Sequence, residues 1–165
     1  MNQVIKAGGV FTIEHVRNNE VIGREEVHNL VVNEGLNHLL NTVFHGSTQV
    51  TTWYVGIFEG NYVPLATDTA ASFTSSATEC TAYDEANRVE YTEAAASSQS
   101  ITNSASKATF TINNTKTVYG GFLQSSAGKS SATGTLMAAA KFGTARSVVS
   151  GDQLLITYTF SAATT

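Results

Sequence analysis

Four histidines (His15, His28, His38 and His45), one cysteine (Cys80) and the acidic group Asp84, Glu85, Glu90 and Glu93 are the residues from which this chain would have to build chemistry. A metal site needs three or four such ligands converging on one point, about 2 Å from the ion. His38 and His45 lie seven apart, two turns along a helix, while His15 and His28 fall on different strands with no carboxylate pattern beside them. No metal is expected, and the histidines read as surface or half-buried groups satisfied by solvent. A glycosidase would set two carboxylates across a sugar bond. Glu90, however, stands between Val89 and Tyr91, where a strand places an outward polar residue in any case.

Nucleophilic chemistry fares no better. Cys80 has no histidine near it in sequence, and the many serines include no Gly-x-Ser-x-Gly elbow. A single cysteine also excludes an intrachain disulfide. The stretch "AGKSS", Ala127 to Ser131, has the ending of a phosphate-binding loop. The glycine that must precede Gly128 by five residues is instead Leu123, and strand patterns flank the segment, so it reads as a solvent-exposed hairpin loop. The chain is therefore expected not to be an enzyme and to bind no cofactor.

The elements that would position any site follow from hydrophobic patterning. In "VFTIEHVRNNEVIGREEVHNLV", Asn18 and Asn19 tolerate positive φ and close a two-residue hairpin between strands at about 10–17 and 20–28. That turn would set Arg17 opposite Glu20, Val16 opposite Val21 and Val10 opposite Val27. Leu36, Leu39, Leu40, Val43 and Phe44 then recur at helical spacing, giving one short amphipathic helix at about 33–45. Asn33 is its expected N-cap, Glu34 lies in its first turn, Gly46 stops it, and its apolar stripe is expected to cover a sheet.

From Thr51 the helical period gives way to six further strand patterns, at about 52–58, 86–92, 107–113, 117–125, 134–142 and 152–160. The fold class is mainly β, an antiparallel β-sandwich with the jelly roll among its possible connectivities. Residues 1–9 read as an N-terminal arm and 10–165 as one β-sandwich domain. Residues 59–85, with the chain's one proline, Pro64, have no lasting period. They read either as a loop packed on its own domain or as an arm ordered by lying across a neighbour.

Composition narrows the partners. Only 13% of residues are charged, about half the usual share. A surface of Ser, Thr, Asn and Gln packs against protein without stranding a buried charge. The net charge of -4 and scattered cations argue against nucleic acid. With no long apolar window and no basic-then-apolar start, neither a membrane span nor a signal peptide is expected.

"WYVGIFEGNYVPLATDTAASF", "TECTAYDEANRVEYTEAAAS", "SITNSASKATFTIN", "KTVYGGFL" and "SGDQLLITYTFSA", together with the helix stretch "NLVVNEGLNHLLNTVF", resemble the small virion structural proteins of tailed bacteriophages over about residues 29–162. That resemblance implies a virion protein made in the host cytoplasm, most like a capsid decoration (cement) protein on the shell exterior. It implies two partners, the major capsid protein and the chain itself, as a dimer or trimer on a local axis. A tail, tail-tip or fibre component is the alternative within the class, and a carbohydrate-binding module the alternative outside it. Val4, Ile5, Trp53, Tyr62, Leu65 and Phe73 are the candidate contact residues. A lone tryptophan such as Trp53 also fits a core position.

Overall fold

The computed structural model describes residues 4–164, which form two antiparallel sheets. Strands β1 (Ile5–Arg17) and β2 (Glu20–His28) make the hairpin, with Asn18 at φ 52° and Asn19 at φ 64°. There follow β3 (Leu30–Val31), helix α1 (Asn33–Phe44), β4 (Tyr54–Phe58), helix α2 (Ala70–Ser76) and the short strands β5 (Val89–Glu90), β6 (Ser100–Thr102) and β7 (Ala108–Thr111). Strands β8 (Lys116–Gln124), β9 (Leu136–Val148) and β10 (Gln153–Thr164) complete the fold. The first sheet runs β2-β1-β10-β6, with β7 also pairing β10, and the second runs β3-β9-β8-β4-β5.

Period-two alternation decides which side chains enter the sandwich. Phe11, Ile13 and His15 of β1 and Leu154, Ile156 and Tyr158 of β10 all point inward and are buried. The apolar ones meet Val55, Ile57, Val118, Leu123 and Ala138 of the second sheet in one core.

Several elements differ from what the sequence alone suggests. Residues 5–9, read above as arm, are the first part of β1, where Ile5 to Gly9 pair with Thr164 to Phe160; Met1–Gln3 lie outside the described residues. The hairpin begins in the expected register, but a bulge between His15 and Val16 gives β2 one extra residue, so Val27 faces Phe11 and His28 faces Val10. Asn33 is the first helical residue of α1 and not its cap. The cap position belongs to Val32, which makes no side-chain cap bond and is fixed by full burial in a second apolar cluster.

That second cluster accounts for residues 59–85. The segment folds back over the outer face of the second sheet, and α2 seats Phe73 against Phe58 and Phe122, with ring centroids 5.6 and 5.3 Å apart. Thr69 and Ser72 cap α2 reciprocally. Because the second sheet is covered on both faces, β9 reads "LMAAAKF" with Ala138, Ala139 and Ala140 all buried.

Close packing there depends on two glycines. Gly56 faces Phe122 and Gly120 faces Phe58 in the β4–β8 register, and each ring lies across its opposing glycine, where a Cβ would collide with it. Gly120→Ala and Gly56→Ala should each lower stability by about 1–3 kcal/mol through overpacking. Thermal unfolding by circular dichroism should show the fall, and an unchanged Tm would contradict this packing.

Candidate interaction surface

The groups considered for chemistry are placed apart from one another, and each is tied into the scaffold. His15 is buried because strand alternation turns it inward, and its Nε2 contacts Asp152 Oδ2 at 2.8 Å. Arg17 donates to both oxygens of the same carboxylate at 2.8 and 2.7 Å, and the Val149 amide adds a fourth contact at 2.9 Å. This corrects the reading of His15 as a solvent-satisfied histidine. The Arg17 guanidinium, helped by the Val149 amide and His15 and opposed by burial, holds the Asp152 carboxyl well below the usual carboxylate range.

Cys80 is buried, and desolvation pushes its thiol up to about 11, away from thiolate reactivity. The acidic residues are dispersed: Asp84 accepts from Asn113, Glu85 from the Thr111 amide, and Glu90 is exposed on β5. Among the described residues no three His, Cys, Asp or Glu side chains are grouped to hold a metal.

The 127–131 segment is half-buried and not a free hairpin tip. Lys129 Nζ sits 3.8 Å from the centroid of the Tyr83 ring and donates to the Tyr83 carbonyl at 2.7 Å. Beneath it, Arg88 and Glu79 form a bidentate ion pair at 2.8 and 2.7 Å with both side chains fully buried. Arg88 also donates to the Ser126 and Ser131 carbonyls, and Glu79 accepts from the Ser130 amide. These two residues stand nine apart with no periodic signal, so no local pattern announces the pair.

What remains is surface. Of the six candidate contact residues, Val4, Ile5 and Leu65 are exposed. Phe73 is fully buried at the centre of the outer cluster, so it is corrected from contact residue to core. Tyr62 is half-buried, packs on Phe73 with centroids 6.0 Å apart and donates to Asp68 at 2.9 Å. Trp53 packs against the inner core and edge-on to His38, and it lines a cavity of about 220 Å³ with Leu39, Tyr91, Met137 and Tyr158.

Exposed apolar side chains gather in four places. They are Val4 and Ile5 at the start of the chain, Val21 and Ile22 on β2, Val63 and Leu65 in the loop over the second sheet, and Leu36, Leu40, Val43 and Phe44 on α1. The last group overturns the expectation that the stripe of α1 covers a sheet. Only its flank does so, through Gly35 and Leu39. No family model matches the chain, and no curated protein matches it either.

Two stability predictions follow from the buried charges. Glu79→Ala strands the Arg88 guanidinium and should cost about 3–5 kcal/mol. Glu79→Leu combined with Arg88→Met should recover only part, since the Ser126 and Ser131 carbonyls and the Ser130 amide still lose their partners; denaturant titration reads both. For Asp152, the folded carboxyl titrates below its unfolded value of about 3.9, so its stabilisation is complete above that pH and is lost as pH falls beneath it. Wild-type Tm should therefore drop on acidification below about pH 4. Asp152→Asn should be less stable at neutral pH and show a flatter acid limb.

Proposed function

We propose that this chain is a non-enzymatic structural protein of a tailed-bacteriophage virion, a homo-oligomeric decoration protein that binds the exterior of the assembled shell. The observation that carries this reading is the set of four separate, exposed apolar places on one small domain. Two of them lie in stretches without a formal charge, residues 35–58 and 60–67. Single exposed apolar residues are ordinary, but clustered ones in charge-free stretches suit burial against protein.

Most of the few cations present are paired within the chain. Six of the nine cationic side chains face a carboxylate, and Lys129 is held by backbone carbonyls. Little is left to steer a polyanion. The resemblance of the sequence to small virion proteins supplies the setting in which such a surface works.

The physics of such a role is simple. A protein that binds the assembled lattice and not the free subunit adds its binding free energy to the assembled state alone. A symmetric oligomer grips several subunits at once, so a modest contact per subunit suffices through effective concentration.

Calibrated mass spectrometry of purified virions tests this. A ratio to the major capsid protein near one, or a simple fraction such as about one-third, is expected for a shell protein on a symmetric lattice. A few copies per hundred capsid subunits would move the chain to the tail or neck, and its absence from particles would overturn the structural role. Shells lacking the protein should take it up to a saturating ratio and then resist heat better. Val63→Asp with Leu65→Asp should weaken that uptake about tenfold or more, as loss of a buried apolar contact does.

A further inference from the structure

Helix α1 docks on the domain with the wrong side for its pattern. At about 100° per residue, Gly35, His38, Leu39 and Thr42 share one flank. These are the helix positions, with Glu34, that are buried or half-buried. Gly35 lies against the backbone of Met137, where a Cβ would not fit, and Leu39 packs on the inner core. Glu34 fastens the first turn by accepting the Ala70 amide at 2.8 Å and the Leu136 amide at 2.6 Å. The centre of the apolar stripe, turned about 100° away from that flank, is left outside. Leu36 is 37% exposed, Leu40 56%, Val43 69% and Phe44 82%.

We propose that this stripe is covered by the same stripe of a second copy, the two α1 helices running antiparallel across a twofold axis at Leu40. Two features favour a second copy over an unlike partner. The first is spacing: Leu36 and Phe44 stand four residues either side of Leu40. An antiparallel twofold therefore sets the projecting Phe44 of each copy against the low-lying Leu36 of the other, with Leu40 against Leu40. Phe44, at 82%, is the more exposed member of that pair and Leu36, at 37%, the less exposed.

The second feature is charge. A twofold interface presents every group to its own surface, so an unbalanced charge there meets a like charge. Residues 35–58 contain no Asp, Glu, Lys or Arg, although the chain as a whole carries a net charge of -4. The stripe thus brings no charge of its own against its copy. The run 43–49 that continues from the stripe is exposed throughout and carries no charged side chain.

Resting on the assembly role above, α1 makes the contact between copies and leaves Val63 and Leu65 for the shell. Sedimentation equilibrium on the purified protein tests the pairing without any virion. Wild type should be a dimer, Phe44→Asp and Leu36→Lys should each weaken it about a hundredfold, and the Leu36→Lys/Phe44→Asp double variant should regain much of the loss. The variants alter exposed side chains, and their circular dichroism should match wild type. A monomeric wild type, a Phe44→Asp variant that dimerises as wild type does, or a double variant no better than the singles would each overturn the proposal. None of these outcomes depends on virion copy number, so the assembly role and the pairing fail separately.

Discussion

The free edge of β10 sets the terms for the first sheet. This strand pairs with β1 along nearly its whole length, but its other edge meets β7 only at Gln153–Ile156 and β6 only at Thr159–Ser161. Between them the backbone around Tyr158 would be left buried without partners, at a cost of about 1–3 kcal/mol for each group. Asn103 closes the gap with one side chain. Its Oδ1 accepts the Tyr158 amide at 2.7 Å and its Nδ2 donates to the Ile156 carbonyl at 3.2 Å, reproducing a strand's two bonds. The Tyr91 hydroxyl, reaching over from beyond β5, lies 3.1 Å from the Tyr158 carbonyl. One amide and one phenol thus let the chain turn between β6 and β7 without opening the sheet, and Tyr91 ties the two sheets together at the same point.

Charge in this molecule is used as fastening. Asp152 joins β1 to the turn before β10 through Arg17 and His15. Glu25 joins the edge strand β2 to the far half of β9 by accepting the Gly143 and Thr144 amides and the Arg146 guanidinium. Arg88 and Glu79 hold the 126–131 loop against the body. A buried pair of this kind adds little net stability over apolar packing, but it penalises every arrangement in which one partner is missing. It therefore selects among folds of similar hydrophobic burial, which matters in a chain where β3, β5, β6 and β7 have only two to four residues each.

The parts of the fold legible in the sequence are those governed by neighbours in the chain. Asn18-Asn19 announces its turn because both residues tolerate positive φ, and β10 announces its faces because Leu154, Ile156 and Tyr158 alternate with Leu155, Thr157 and Thr159. The one-residue slip in the hairpin was hidden because the added residue lies in the equally apolar pair Val21-Ile22. Helix α2 was hidden because Ser and Thr, weak helix formers, make up four of its seven residues, and its stability comes from Phe73 inserting between Phe58 and Phe122. The stripe on α1 was legible and its direction was not. Direction is set by long-range contacts of Gly35 and Glu34 with β9 and α2, which no local period encodes. The candidate contact residues divide the same way. Exposure at Ile5 and Leu65 goes with polar or small neighbours, whereas Phe73 looked alike in sequence and is core.

These choices give the molecule two unlike sides. On the outer face of the first sheet Lys107, Glu14, Arg24 and Glu26 form a chain of ion pairs, with Glu14 taking Lys107 at 2.6 Å and Arg24 at 3.7 Å, and Arg24 reaching Glu26 at 2.8 Å. These exposed pairs are worth little as stabilisers. They do keep one broad face hydrated and blunt the outer strands against pairing with another chain. The second sheet has no comparable face, because α2 and the 59–69 loop roof it over, and the surfaces it offers instead are the uncharged loop at 60–67 and α1. A helix of 12 residues whose apolar centre faces water gains little from its own propensity and depends on packing to stay formed. Here Gly35, Leu39 and the Glu34 carboxylate hold α1 in place by one flank, so the stripe is presented ready-made and little ordering cost remains to be met when another protein covers it. In the proposed assembly role the charged sheet turns to solvent and the uncharged side turns inward, and the division follows from which sheet needed a roof.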